Sequence, residues 1–338
     1  MDSNALKNIY YCMERIIVFE GIDEVLQHIV QTAASLTRAD AATLRLFNIE
    51  TGELDIKAGV GVSGDFLAQP GLKLGEGIIG RVVQNGESFV TPDVSKEKGC
   101  SQKDLARMES IKSLLSIPLK DKESAIGSLT IYRKNGSPFE ENDLLLMSIF
   151  GAQAVEAVEK TNQLESLQRQ AIYDYLTDMY NKKYLLQRIE SEIKRGDRHN
   201  HAVSIIFIDL DDFKNFNDEH GHLLGDKLLK DFSLLVKNEL RKNDVVGRFG
   251  GEEFVIVASE TDKKGAMSLA KKLLALTKKH KFLGAKGSLA GVTFSAGISS
   301  YPDDGLTLPE IIQKADEAMY IAKSEGKSRV QIYESFNQ

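Results

Sequence analysis

Apolar positions change period along the first part of the chain. Over about the first 35 residues the pattern is helical, and from Gly21 onward Ile22, Val25, Leu26 and Ile29 fall on one face. A period of two then takes over. Ala42 to Phe47 and Leu54 to Ala58 alternate apolar and polar around Glu50-Thr51-Gly52-Glu53, which predicts an antiparallel pair. Further strands are predicted at Ser113 to Leu119 and Ala125 to Tyr132. This half reads as α+β, with helices flanking a mostly antiparallel sheet.

From Glu141 to about Tyr173 no proline occurs and Gly151 is the only glycine, so one long helix is expected. Ala157, Leu164 and Ala171 recur every seven residues with Leu167 beside them. This partial heptad is able to pair with its copy in a second chain, although Lys160 and Asp174 interrupt the second apolar position. Beyond it, Lys183 to Ile193 is helical in pattern. Val203 to Ile208 is almost continuously apolar and β-branched, the mark of a strand buried on both faces. A helix over Asp226 to Leu240, a hairpin with Gly250-Gly251 at its tip, a helix over Lys264 to His280, a strand over Gly291 to Ile298 and a helix over Leu308 to Lys323 follow. The chain is therefore divided into an N-terminal domain (1–148), a linker helix (149–173) and a C-terminal domain (174–338).

Composition narrows the function. With 338 residues, 42% of them hydrophobic, the chain is long enough for two cores. Its two cysteines, Cys12 and Cys100, are too few for a disulfide framework or a thiolate cluster and fit a reducing, cytoplasmic setting. No apolar run approaches the ~20 residues of a membrane span, and the N-terminus lacks the order of a signal peptide. A formal net charge of −6 opposes bulk binding to nucleic acid or an anionic membrane.

Chemistry concentrates in the second half. Asp209-Leu210-Asp211-Asp212 places three carboxylates where the buried strand emerges, and alternation aims Asp209 and Asp211 to one side. Clustered like charges are costly unless a cation offsets them. The segment also imitates the start of a calcium loop, but Phe213 and Lys214 stand where that loop needs a ligand and its glycine. Gly250-Gly251 is a hairpin signal because both central residues of such turns favour positive φ. Glu252 and Glu253 follow at once, and Glu252 sits where the backbone is able to approach a ligand closely and its carboxylate to meet that of Asp209. Together Asp209 and Glu252 are able to hold one or two Mg²⁺ ions that also bind phosphates. His220 and His222 are expected to cap or pack, since hard Mg²⁺ prefers oxygen.

These residues carry a family resemblance. From Asp174 onward the chain resembles a GGDEF domain, the catalytic domain of diguanylate cyclases. The resemblance runs through Asp174-Tyr175-Leu176-Thr177 with Asn181 following, "DLDDFKNFNDEHGHLLGD" from Asp209 to Asp226, "RFGGEEF", and "ADEAMYIAKSEGK" from Ala315 to Lys327. It implies a ferredoxin-like, palm-like α/β sandwich that condenses two GTP into cyclic di-GMP. By resemblance Asp209, Glu252 and the carbonyl of Leu210 bind Mg²⁺, or Mn²⁺ in its place. Glu253 supports the metal or the proton transfer, and Lys323, Lys327, Phe213 and Lys214 serve the phosphates. Lys323 and Lys327, four apart, share a helical face or its fraying end, while Lys327-Ser328 replaces the family's common Arg-Asn. Asn217 and Asp226 match the guanine contacts, and a carboxylate at Asp226 suits the N–H donors of guanine but not adenine. Arg241 and Asp244 match an inhibitory product site, and two GTP-loaded domains must meet, which implies a homodimer.

Residues from about Gly21 to Lys160 resemble a GAF domain through "GEGIIGRVV", "LLSIPL", "IGSLTIY" and "AQAVEAVEK". Gly75-Glu76-Gly77-Ile78-Ile79-Gly80 also spells a nominal dinucleotide fingerprint, but Pro70 and Gly71 precede it instead of an apolar strand. The resemblance implies a sensor with an unnamed ligand or none. The Asn-Lys-Phe-Asp-Glu motif of cyclic-nucleotide GAF domains is absent, and Cys100 lacks a bilin-attachment context.

Overall fold

Helix α1 (Ile22–Leu36) opens the part of the chain described by a computed structural model, which covers residues 21–97, 109–122 and 124–334. Cys12, Cys100 and the helical pattern before Gly21 lie outside the described residues. Two compact units, Met1–Glu165 and Ser166–Gln338, divide within the long helix α4 (Glu141–Ile172).

In the N-terminal unit, strands β1 (Ala41–Asn48), β2 (Glu53–Val60), β3 (Leu72–Lys73), β4 (Phe89–Thr91), β5 (Ser113–Lys120) and β6 (Ala125–Arg133) form one sheet in the order β3-β2-β1-β6-β5-β4. Every pairing is antiparallel, as the alternation predicts. Side-chain alternation gives the sheet two faces of different character. On one, Ala42, Leu44, Leu115, Ile117, Leu129 and Ile131 pack against Leu26, Ile29 and Val30 of α1 and Leu146, Met147 and Phe150 of α4. Each large side chain buried there contributes about 1.5–3 kcal/mol. The other face mixes polar Thr43, Arg45, Ser116, Ser128 and Thr130 with a smaller apolar cluster. Helices α2 (Gly64–Leu67) and α3 (Gly77–Asn85) cover it through Phe66, Ile78 and Val82.

In the C-terminal unit, β7 (Val203–Leu210), β8 (Val245–Arg248), β9 (Glu253–Ala258), β12 (Phe294–Tyr301) and β13 (Val330–Ile332) form a sheet in the order β13-β12-β7-β9-β8. A second, two-stranded sheet pairs β10 (Phe282–Leu283) with β11 (Leu289–Ala290). Helices α6 (Phe213–His220), α7 (His222–Glu239) and α8 (Lys263–Lys279) cover one face of the larger sheet, and α5 (Lys182–His199) and α9 (Leu308–Ser324) cover the other. Every residue of β7 is buried, because Ile206, Ile208 and Leu210 enter one core while Ile205 and Phe207 enter the other. That is why its sequence does not alternate although both neighbours are antiparallel. Gly297 lets α9 lie directly on β12: a Cβ there would come within 2.0 Å of Ala315 O and 2.1 Å of Met319 N.

Three elements differ from the pattern-based reading. The helix expected from Asp226 starts at His222, and a separate helix α6 precedes it, the two divided by Gly221 at φ 88°. Only Phe213 and Phe216 of α6 are buried, too few anchors to register as a period. The strand expected over Gly291 to Ile298 runs from Phe294 to Tyr301. Its partner dictates this: Phe294 pairs with Leu210, the last residue of β7, and Tyr301 with Val203, the first.

Candidate active site

The end of β7 is where buried backbone meets charge. Register places Asp209 opposite Glu253 of β9 and Ser295 of β12, and Leu210 N donates to Glu252 O at 3.2 Å. Asp209 is only 5% exposed. Its Oδ2 lies 2.7 Å from Lys323 Nζ of α9, while its Oδ1 is buried with no hydrogen-bond partner among the described residues. Burial pushes the Asp209 carboxyl above the ordinary aspartate value; Lys323 opposes this, and Asp211 and Asp316 add to it. Burial likewise raises Glu252, with Asp209 and Glu253 as repelling neighbours, and raises Glu253, with Asp209 and Asp316 beside it. Lys323, with Lys182 and Lys327 acting from farther away, thus stands against a surplus of acids.

That surplus fits a hard divalent cation, whose ligands are oxygens, and the orphaned Oδ1 of Asp209 is a free donor for it. Among the described residues no three acids or histidines are already gathered in metal-ligand geometry. The ammonium of Lys323 is the cation that sits on Asp209.

Asp211 has a different task. Its carboxylate accepts from Thr293 Oγ1 at 2.6 Å, Ser295 Oγ at 2.7 Å and Ser328 N at 2.9 Å. Strand alternation pointed Asp209 and Asp211 the same way, yet Asp211 lies past the end of β7 and is saturated by donors that tie β12 and the segment after α9 to it. Asp212, at φ 57°, is 2.7 Å from Lys327 Nζ. Helix α9 ends at Ser324, so Lys327 reaches the acidic strand end from beyond the helix, at φ 60°.

The turn between β8 and β9 corrects one expectation. Neither Gly250 nor Gly251 adopts a positive φ. At 250 a Cβ would lie 2.2 Å from Glu253 Oε2, so that carboxylate would have to move aside; position 251 is open. Arg248 holds the turn: Nε donates to Gly250 O and Gly251 O, both at 3.1 Å, and Nη2 to Gly251 O at 2.7 Å. Asp174 holds Arg248 in turn, at 3.1 and 3.3 Å from Nη1. Burial works against ionised Asp174, but the Thr177 hydroxyl and N–H together with Arg248 outweigh it and keep its carboxyl below the ordinary value. The motifs quoted from the sequence contained Asp174, Arg248 and Asp316 without giving them roles. An acid at the start of the domain and an arginine two residues before the glycine pair were the available signals.

Helix α7 approaches Asn217 of α6 at Gly225. A Cβ on Gly225 would lie 1.8 Å from Asn217 Oδ1, which is buried without a partner among the described residues, and exposed Asp226 is the next residue. The Phe213 side chain enters the core, whereas Lys214 is exposed; both open α6, where the first N–H groups lack intrahelical acceptors. His220 packs edge-on to Phe216 and accepts from Ala285 N at 3.4 Å.

Arg241 and Asp244 lie elsewhere, between α7 and β8. Asp244 Oδ2 accepts from the backbone N of Arg241 at 3.0 Å, so the guanidinium itself is not consumed by that carboxylate. Both residues line a depression of about 590 Å³ together with Glu260, Asp262 and Lys272. On α4, Leu164 and Leu167 are 52% and 62% exposed. No described helix is long and apolar enough to cross a membrane.

The family described as "Diguanylate cyclase, GGDEF domain" matches residues 171–329, and the GAF domain family matches residues 20–159. Diguanylate cyclase A of Treponema denticola is 30% identical over 251 residues, 73% of this chain and 67% of that protein. Response regulator PleD of Caulobacter vibrioides is 34% identical over 170 residues, 50% of this chain and 37% of that protein, so the chain spans little more than a third of that relative. The solved active GGEEF domain of a diguanylate cyclase from Vibrio cholerae is 31% identical, with 46% of this chain and 97% of that one covered at a TM-score of 0.43. The chain belongs to the GGDEF-domain diguanylate cyclase family, with a GAF domain ahead of the GGDEF domain.

Proposed function

We propose that the chain condenses two GTP molecules into cyclic di-GMP and two pyrophosphates. Each 3′-hydroxyl attacks the α-phosphate of the other nucleotide, a new P–O bond forms, the bond to the β-phosphate bridge breaks, and the hydroxyl proton leaves to a base. The observation that carries this reading is the buried Asp209 carboxylate, unpartnered at Oδ1 and crowded by Glu252 and Glu253.

Asp209, Glu252 and the Leu210 carbonyl would hold Mg²⁺, or Mn²⁺. When bound, the ion lowers the hydroxyl pKa and neutralises charge on the phosphate. Glu253, whose raised pKa suits proton exchange, supports the metal or receives the proton. Lys323 and Lys327 bind the triphosphate, aided by Lys214 and the N–H groups that begin α6. Asn217 and Asp226 select guanine. Arg241 and Asp244 bind the product as a feedback inhibitor in the 590 Å³ depression. One domain holds one GTP, so the enzyme works as a homodimer, paired through the apolar positions of α4, and the GAF domain regulates that pairing.

Incubation with GTP and Mg²⁺ followed by mass detection of the product tests the reading. Wild type yields cyclic di-GMP; Glu252→Gln and Asp209→Asn do not. Product from both variants would refute the metal-site assignment.

A further inference from the structure

Arg45 of β1 is a charged side chain in the interior of the N-terminal unit, 1% exposed. Nη1 donates to Leu54 O at 2.9 Å, but Nε and Nη2 have no hydrogen-bond partner among the described residues. It forms no ion pair among them either. Tyr132 and, less strongly, Asp55 act on it only at a distance, and the Asp55 carboxylate is already engaged by Asn48 at 3.1 Å and Lys57 at 3.9 Å. Burial draws the guanidinium pKa down, as expected for a cation without a counter-ion.

Its neighbour is in the same condition. Ser128 is the register partner of Arg45 across β1 and β6, is 1% exposed, and its Oγ has no partner. The rest of this polar face is satisfied: Thr43 Oγ1 and Tyr132 Oη are 2.9 Å apart, and Ser116 Oγ and Thr130 Oγ1 are 2.8 Å apart. Elsewhere in the unit Gln69 Nε2 and both amide atoms of Gln153 also lack a partner, but on these strands Arg45 and Ser128 are the adjacent pair with unmet hydrogen-bonding capacity. A buried guanidinium without an anion costs several kcal/mol. Nε and Nη2 form one edge of the guanidinium, the edge that matches two oxygens of a carboxylate or phosphate.

We propose that the N-terminal unit binds an oxyanion, the carboxylate or phosphate group of a small molecule, on the Nε–Nη2 edge of Arg45, with Ser128 Oγ as a further contact. The site lies beside the cluster of Leu54, Leu72, Ile79 and Val83, where α3 covers the sheet. It is separate from the nucleotide chemistry and stands or falls independently of it.

Thermal unfolding of the full chain in sodium phosphate, in sodium acetate, and in sodium chloride at equal ionic strength tests this, with wild type compared with Arg45→Met, Arg45→Lys and Ser128→Ala. All variants share the C-terminal unit, so phosphate bound there cancels in the comparison. The expected result is an anion-dependent rise in the wild-type midpoint beyond that in chloride. Arg45→Met weakens the apparent affinity about 10-fold to 100-fold, Arg45→Lys loses most of the effect with the fork, and Ser128→Ala loses a smaller part. The arm with the larger Arg45-dependent shift, phosphate or acetate, identifies the group. The proposal is overturned if neither anion exceeds chloride in wild type, or if Arg45→Lys and Ser128→Ala respond as wild type does, the sign of an adventitious additive only.

Discussion

Asp174→Asn tests how the Gly250-Gly251 turn is held in place. The substitution keeps the size of the side chain and an acceptor for Thr177, whose N and Oγ1 lie 2.9 and 2.7 Å from Asp174 Oδ1. What it removes is the charge facing Arg248, in a pair whose side chains are 16% and 14% exposed. Breaking a fully buried pair costs about 3–5 kcal/mol. Arg248 retains its contacts to Gly250 O and Gly251 O, so the lower figure of about 2–3 kcal/mol is expected here. In urea, with a slope of about 2 kcal/mol/M, that is a midpoint shift of roughly 1–1.5 M. The turn carries Glu252, so the Mg²⁺ concentration for half-maximal turnover should rise as well, which a purely global loss of stability does not produce. The pH dependence has a definite sign. Because the folded-state pKa of Asp174 is lowered, its contribution is present above the unfolded value near 4 and is lost as pH falls through the folded value. The gap between wild type and variant should be flat from about pH 5 to 8 and close only in stronger acid. A variant within about 0.5 kcal/mol of wild type at neutral pH, with unchanged Mg²⁺ dependence, would show that the turn carbonyls alone fix Arg248.

Three further outcomes are expected. Asp226→Ser should relax base choice by about 10-fold to 100-fold in mixed GTP and ATP, the worth of a bidentate base contact; unchanged exclusion of ATP would remove Asp226 from guanine recognition. Arg241→Ala should raise the concentration of cyclic di-GMP needed for inhibition and leave turnover without product intact; equal inhibition of both proteins would sink the feedback reading. Asp211→Ala should cost about 2–4 kcal/mol in urea unfolding, because the Thr293, Ser295 and Ser328 donors lose their common acceptor, and a loss below about 1 kcal/mol would show that water replaces it.

The sequence by itself determined the α+β class, the long helix, the buried strand at Val203 and the order of the motifs, since each rests on local periodicity or on a run of residue types. Those signals require no knowledge of partners. Asp209, Glu252 and Glu253 were legible as an acidic cluster for the same reason, whereas Lys323 was singled out only by the resemblance. Tertiary structure decided which acids meet. Asp209 and Asp211 are alike in sequence, yet register and the donors of β12 leave one unsatisfied at Oδ1 and saturate the other. It also decided where β12 begins, because Leu210 ends the partner strand, and that the turn at Gly250-Gly251 is made without a positive φ. The clamp from Asp174 through Arg248 to the turn spans 74 residues of chain, and the bare guanidinium of Arg45 is exceptional only for what fails to surround it. Neither is a property of a local stretch: both depend on which groups folding brings within hydrogen-bond distance and which it leaves apart.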